Sequence, residues 1–188
     1  MAQKKNSLRI IGGTWRSRRI QFVDIPEIRP KPDRVRETLF NWLETKIVGA
    51  SCLDLFAGSG VLGFEAASRG ASKVIQVDVN ETIVAMLSQQ KQLFTAQQIH
   101  ILQQDALAYL QQVEQQFDVV FLDPPFNSNI LRQALLILIE RKLLAPSSGL
   151  VYIESSAQST QLQCLDEFSS IHEKVAGQVH YALYQAPS

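Results

Sequence analysis

The chain has 188 residues, 46% of them hydrophobic, enough to bury a sizeable core in one domain with at most a small appendage. Its formal net charge is zero, but the signs are segregated: through Lys46 there are eleven basic residues against five acidic ones, so the front end carries +6 and the remainder −6. No apolar run is long enough to span a bilayer, and the two cysteines (Cys52 and Cys164) form no CxxC pair, which excludes a disulfide framework and a zinc knuckle; a soluble, cytoplasmic chain without metal or membrane partner is expected.

The opening MAQKKNSLRI has charges with no apolar stretch behind them, so no signal peptide is expected. Residues 8–23 hold two strand-like pieces, LRIIGG and RRIQFV, around Gly12-Gly13, which predicts a β-hairpin. IPEIRPKPD follows, with three prolines, and reads as an extended linker. Residues 1–32 are therefore a basic N-terminal extension and 33–188 the main domain. Asp33 is placed to cap a helix in which Val35, Leu39, Trp42, Leu43 and Ile47 recur at helical spacing, ending before Gly49.

From Ser51 onward, strands and helices alternate. CLDLF, SKVIQVDV, IHILQ, FDVVFL and residues 150–154 are strands; helices cover GVLGFEAASRG, 81–94, 106–112 and 130–144. Near-continuous apolar strands between amphipathic helices predict an α/β fold with a mostly parallel sheet covered on both faces. The tail alternates on either side of Ala176-Gly177 and predicts an antiparallel hairpin closing the sheet edge. The glutamine pairs, Gln89-Gln90 among them, read as solvent-facing composition bias. The three histidines show no metal-ligand spacing, and Cys52 reads as a buried apolar filler.

The first of these strands ends in Asp54-Leu55-Phe56-Ala57-Gly58-Ser59-Gly60-Val61-Leu62-Gly63. Glycines at 58, 60 and 63 allow a tight turn close to a ligand and open a helix whose amides point at it. Asp78, twenty residues after Gly58, ends the second strand and suits a ribose diol. This pattern satisfies a dinucleotide fingerprint, but Asp54 would set a negative charge against a pyrophosphate. A cofactor with a cationic amino-acid end fits better, and S-adenosylmethionine has one. The candidate cofactor residues are Asp54, Phe56, Ala57, Gly58, Ser59, Gly60, Gly63, Asp78, Asn80, Asp105 and Ala106. Asp105 is a candidate for the adenine amine and equally for a helix N-cap, two compatible roles.

FLDPPF is the second chemical signal. Two consecutive prolines cannot continue a sheet ladder, because neither has an N–H and both fix φ. The chain must leave the sheet at Asp123, at the carboxyl edge where open α/β sheets bind ligands. Asp123, Pro124, Pro125 and Phe126 are the candidate catalytic residues. In the basic front end, Arg16, Arg18, Arg19, Arg34 and Arg36 are candidates for phosphate contacts, Arg36 foremost. Trp15 suits stacking on RNA or packing under the hairpin; Trp42 is read as core.

Together these residues resemble the class I S-adenosylmethionine-dependent methyltransferases, whose [DNS]PP[FYW] signature DPPF matches. The resemblance is closer to the RsmD family of bacterial 16S rRNA guanine-N2 methyltransferases, carried by RIIGGTWRSRRI, RPKPDRVRETLFNWL, DLFAGSGVLGFEAASRGA, FLDPPF and EKVAGQVHYALYQ, nearly end to end. Two positions depart from the family's habit: lysine follows RP where threonine is more usual, and Asp78 stands where many members carry glutamate.

The resemblance implies a Rossmann-like fold with a mostly parallel seven-stranded sheet, an antiparallel edge strand and a small N-terminal hairpin. It implies methyl transfer to N2 of a guanine in 16S rRNA, with the small subunit or an assembly intermediate as partner and the enzyme a monomer. In such a site Asp123 and the Pro124 carbonyl would accept the amine hydrogens while Phe126 stacks on the base. Three alternatives stay open: an amino-methyltransferase acting on adenine N6 or cytosine N4 of DNA or another RNA, a non-catalytic RNA-binding assembly factor, and an NAD-dependent enzyme.

Overall fold

Two antiparallel strands come first, β1 (Lys5–Arg9) and β2 (Arg19–Val23), paired from Lys5↔Val23 to Arg9↔Arg19. The computed structural model describes residues 5–23, 32–124, 129–156 and 167–186. Helix α1 (Asp33–Trp42) follows. The alternating part then runs β3 (Ser51–Asp54), α2 (Val61–Ser68), β4 (Lys73–Asp78), α3 (Glu81–Phe94), β5 (Ile99–Gln103), α4 (Ala106–Gln112), β6 (Val119–Leu122), α5 (Ile130–Glu140) and β7 (Leu150–Ser156). β8 (Ser169–Ala176) and β9 (Val179–Gln185) form the closing hairpin.

The main sheet has seven strands in the order β5-β4-β3-β6-β7-β9-β8. The first five in that order pair in parallel, and β9 pairs antiparallel with both β7 and β8. The closing hairpin thus turns back on itself, with β9 inside and β8 along the edge. From β3 the chain builds outward through β4 and β5, then returns to add β6 on the other side. β3 and β6 therefore flank the switch point, the place at the carboxyl ends of the strands where open α/β sheets bind their ligands.

Alternate residues of the parallel strands point to opposite faces, and each face has its own core. Cys52, Val74, Val119, Phe121 and Tyr152 face α1, α2 and α3, while Leu53, Ile75, Val120, Leu122 and Val151 face α4 and α5. Burial on both faces explains why these strands are apolar almost throughout. Cys52 is fully buried, and burial, followed by the nearby Asp118 and Asp54 carboxylates, pushes its thiol well above the ordinary range, as suits an inert filler. No described helix is long and apolar enough to cross a membrane.

Leu8, Ile10, Ile20 and Phe22 of the N-terminal hairpin belong to the first of these two cores. A buried ionic network fastens the hairpin there. Glu65, in the middle of α2, accepts the backbone N–H groups of Ile11 and Gly12 at 2.8 Å each and the Arg69 Nε–H at 2.8 Å. Arg36 lies 3.8 Å from Glu65, donates to the Arg9 carbonyl at 2.8 Å and pairs with Asp33 at 2.5 Å. Trp15 is partly buried and packs edge-on against Phe94 and tilted against Phe64, so its ring is used in packing under the hairpin.

Three sequence expectations change here. Arg36 is fully buried among Arg9, Asp33 and Glu65, so it docks the extension and is withdrawn from the phosphate-contact set. Asp33 does not cap α1; it is the first helical residue, and its carboxylate turns to Arg36 and Arg9 instead. Gln90 is buried, and its Oε1 accepts the Gln21 N–H, tying α3 to β2. The first helix also stops at Trp42, sooner than the apolar spacing suggests, and Leu43 and Ile47 are buried from turns.

Candidate active site

The described candidate cofactor and catalytic residues gather at the carboxyl ends of β3, β4, β5 and β6. Asp54 ends β3, pairs in register with Phe121 of β6, and is 2% exposed. The chain then turns back on itself: Leu55 N–H donates to Phe121 O at 3.2 Å, Ala57 N–H to Val77 O at 3.0 Å, and Gly60 N–H to Ala57 O at 2.7 Å. Gly58 and Gly60 have φ of 51° and 75°, the left-handed region that side chains disfavour. Gly60 is then the N-cap of α2, with no side chain to serve the cap. Phe56 packs on the α4–α5 side, and Ser59 is buried with its Oγ accepting the Val61 N–H at 3.4 Å.

Asp54 is held from two directions. Its Oδ2 accepts the Gly63 N–H at 3.2 Å and the Gln76 Nε2–H at 3.0 Å, and Gln76 also donates to the Gly60 carbonyl at 3.0 Å. Asp78, half-buried at the end of β4, accepts the Gly58 N–H on Oδ2 at 3.0 Å and the Asn80 N–H on Oδ1 at 2.9 Å. Each Asp78 oxygen thus holds one backbone amide and keeps acceptor capacity for a hydroxyl. Asn80 caps α3, its Oδ1 accepting from Thr82 and Ile83. Asp105 is exposed and caps α4 through the Ala108 N–H at 2.9 Å, and Ala106 behind it is buried.

At the head of β6, Asp123 is half-buried and Pro124 is buried. Pro125 and Phe126 lie outside the described residues. Because Leu122 pairs with Ile153, Asp123 and Glu154 are neighbours at the edge where β6 meets β7. Glu154 is 5% exposed and accepts the Tyr152 hydroxyl at 2.6 Å. Burial first, then Glu154 and more distantly Asp123, raise the Tyr152 pKa well above the usual phenol range, so the hydroxyl keeps its proton.

Three residues here carry no motif in the sequence: Gln76, Glu154 and Val79, the last an apolar side chain 68% exposed beside Asp78. A glutamine within the apolar run VIQVDV is the signal that was available for the first: a buried amide must find partners. Glu154 sits at the head of an apolar strand, as Asp54 and Asp123 do, and carries no motif of its own.

Arg16, Arg18 and Arg19 are exposed, and so is Arg34 at the start of α1. The hairpin loop is fixed to the far ends of α2 and α3: Thr14 N–H donates to Ser68 O at 2.8 Å, and Arg18 donates to Leu93 O at 2.8 Å with its guanidinium 3.9 Å over the Phe94 ring. α2 begins at the glycine loop and α3 just after Asp78, so Arg16 and Arg18 stand at the opposite end of the fold from them. Among the described residues, no cluster of His, Cys, Asp and Glu could hold a metal ion.

The chain is 42% identical to ribosomal RNA small subunit methyltransferase D of Haemophilus influenzae, an alignment covering 96% of this chain and 95% of that protein. It is 40% identical to the protein of the same name from Escherichia coli, over 95% and 89%. The solved structure of yhhF from Escherichia coli superposes with a TM-score of 0.87 at 39% identity, covering 97% of this chain and 99% of that one. Residues 8–185 match the family model described as Conserved hypothetical protein 95. The chain therefore belongs to that family, the one that includes ribosomal RNA small subunit methyltransferase D.

Proposed function

We propose that this protein transfers a methyl group from S-adenosylmethionine to the exocyclic N2 of a guanine in 16S rRNA, on the small ribosomal subunit or an assembly intermediate. The observation that carries the reading is the pairing of β3 with β6 at the switch point. It sets the glycine loop with Asp54 beside the strand that runs out into Asp123 and Pro124. One strand end suits the cofactor and its neighbour the acceptor, the separation an in-line transfer needs. The relatives' activity on small-subunit ribosomal RNA supports the substrate.

The residues present fit the cofactor. Asp54 offers an ionised partner for an ammonium, the turn at Gly58 and Gly60 brings backbone close to a ligand, and Asp78 offers acceptors for two ribose hydroxyls. Val79 supplies an apolar surface for the adenine, and Asp105 a carboxylate for its amine. When bound, S-adenosylmethionine supplies a methyl group already activated on a sulfonium sulfur.

On the acceptor side, Asp123 accepts one N2–H of the guanine and the Pro124 carbonyl the other. The two bonds favour a pyramidal nitrogen with its lone pair turned toward the methyl group. Phe126, following the prolines in sequence, is assigned to stacking on the base. With the N–C bond formed at the expense of the cofactor's S–C bond, the nitrogen would be acidic and would lose its surplus proton to water or Asp123. No strong base is needed. Arg16, Arg18, Arg19 and Arg34 take the phosphate contacts.

The test offers methyl-labelled cofactor with small subunits, naked small-subunit rRNA and duplex DNA, then digests the nucleic acid to nucleosides. Label in N2-methylguanosine from rRNA is expected. Label in adenine or cytosine of DNA would overturn the substrate, and no label despite cofactor binding would favour an assembly factor.

A further inference from the structure

Gln76 stands in the middle of β4 and is fully buried, with Ile75 and Val77 on either side. A carboxamide there is costly unless its protons are taken up. Both of its bonds go to the cofactor loop. Nε2 donates to Asp54 Oδ2 at the end of β3 and to the Gly60 carbonyl at the start of α2, each at 3.0 Å. Because both neighbours are acceptors, the amide cannot be turned the other way round: Oε1 would then face a carboxylate and a carbonyl.

Gly63 is shaped around the same side chain. A Cβ there would come within 2.5 Å of Gln76 Nε2 and 2.7 Å of its Cδ, whereas at Gly60 the tightest neighbour is Leu87 Cδ2 at 2.2 Å, with Gln76 Nε2 at 3.2 Å. Gly63, in the first turn of α2, thus makes room for Gln76. Gly63 in turn donates its N–H to Asp54 Oδ2, the oxygen that Gln76 holds. With two donors on one oxygen, the plane of the Asp54 carboxylate is fixed relative to the turn.

We propose that Gln76 is a positioning residue for the amino-acid end of S-adenosylmethionine, holding Asp54 and the Gly60 turn in the one relation that receives the ammonium group. The adenosine end, read by Asp78 on the other side of the loop, does not depend on it. This inference rests on the reading of Asp54 as the ammonium partner.

The test compares wild type and Gln76→Met, a substitution that keeps volume and removes both donors, by calorimetry with three ligands. These are S-adenosylmethionine, S-adenosylhomocysteine and 5′-methylthioadenosine, which lacks the amino-acid end. Gln76→Met should weaken the first two about tenfold or more and leave the third within about twofold; such a loss corresponds to ~1.4 kcal/mol. In an Asp54→Asn background the same substitution should have little further effect on the first two. Equal losses for all three ligands would make Gln76 a support of the loop as a whole, and no loss would leave it without a role; either overturns the proposal. Failure of the folded wild type to bind S-adenosylmethionine would overturn the cofactor reading and this inference with it.

Should Gln76→Met fail to fold, the wild-type protein decides by NMR. The Gln76 side-chain amide resonances should shift with S-adenosylhomocysteine and stay in place with 5′-methylthioadenosine. Equal shifts with both, or none with either, overturn the proposal.

Discussion

Asp54, Asp78 and Asp123 each stand at the carboxyl end of a parallel strand, but their surroundings divide the work. Asp78 spends one acceptor site of each oxygen on a backbone amide, so it is part of the loop's frame and keeps acceptor capacity for the ribose assigned to it. Asp78→Ala should weaken cofactor binding about tenfold to a hundredfold, the loss of one or two hydrogen bonds to a charged group. An unchanged affinity by calorimetry would remove Asp78 from the ribose site. Asp123 follows β6, two strands over from β4 and past the switch point. Asp123→Ala should leave cofactor affinity within about threefold and lower the rate of transfer on the order of a hundredfold or more, the signature of a group acting in the transition state. Cofactor affinity falling in step with activity would move Asp123 out of the acceptor role.

At the scale of elements, Glu65 decides whether the hairpin belongs to the domain. Fully buried itself, it takes two backbone N–H groups from the hairpin and faces two guanidinium groups, that of Arg36 fully buried and that of Arg69 mostly so. Glu65→Leu should cost about 3–5 kcal/mol, because Arg36 is left buried without its buried counter-charge. Adding Arg36→Leu should restore part of that loss, and urea denaturation of the two variants checks it; a double variant no more stable than the single would show that the two side chains are not coupled. The same network marks where sequence reading stops. The strands, helices and closing hairpin were legible because periodicity and glycine placement are local signals, and so was the turn of the glycine loop. What Arg36 touches was not: Glu65 is twenty-nine positions away in the chain, and a basic residue in a basic stretch reads as a surface charge until a partner strand closes over it. Gln90 and Gln76 were hidden for the same reason, a polar residue whose partners arrive only with the tertiary fold.

At the scale of the whole molecule, the segregation of charge acquires a direction. Arg16 and Arg18 lie on the loop fixed to the far ends of α2 and α3, and α3 alone, at fourteen residues, spans about 21 Å. A guanine at Asp123 and a phosphate at Arg16 therefore cannot belong to the same nucleotide, since successive phosphates along one strand are much closer than this. The substrate must be an RNA folded or long enough to run from the switch point to the hairpin loop. That requirement predicts a particular pattern of failure. Arg16→Ala should raise KM for rRNA while leaving kcat and cofactor affinity nearly unchanged, and should reduce the slope of log binding against log salt by about 0.7–0.9, the loss of one phosphate contact. Short oligonucleotides carrying only the target loop should bind wild type and Arg16→Ala alike, because they do not reach the hairpin. Arg36→Ala should behave otherwise, losing thermal stability with no specific change in salt slope, because its charge is spent inside the protein on Asp33 and Glu65. If Arg16→Ala weakened the short oligonucleotide as much as the full rRNA, the hairpin loop would have to approach the acceptor base itself, and its anchoring at Ser68 and Leu93 would have to give way on binding.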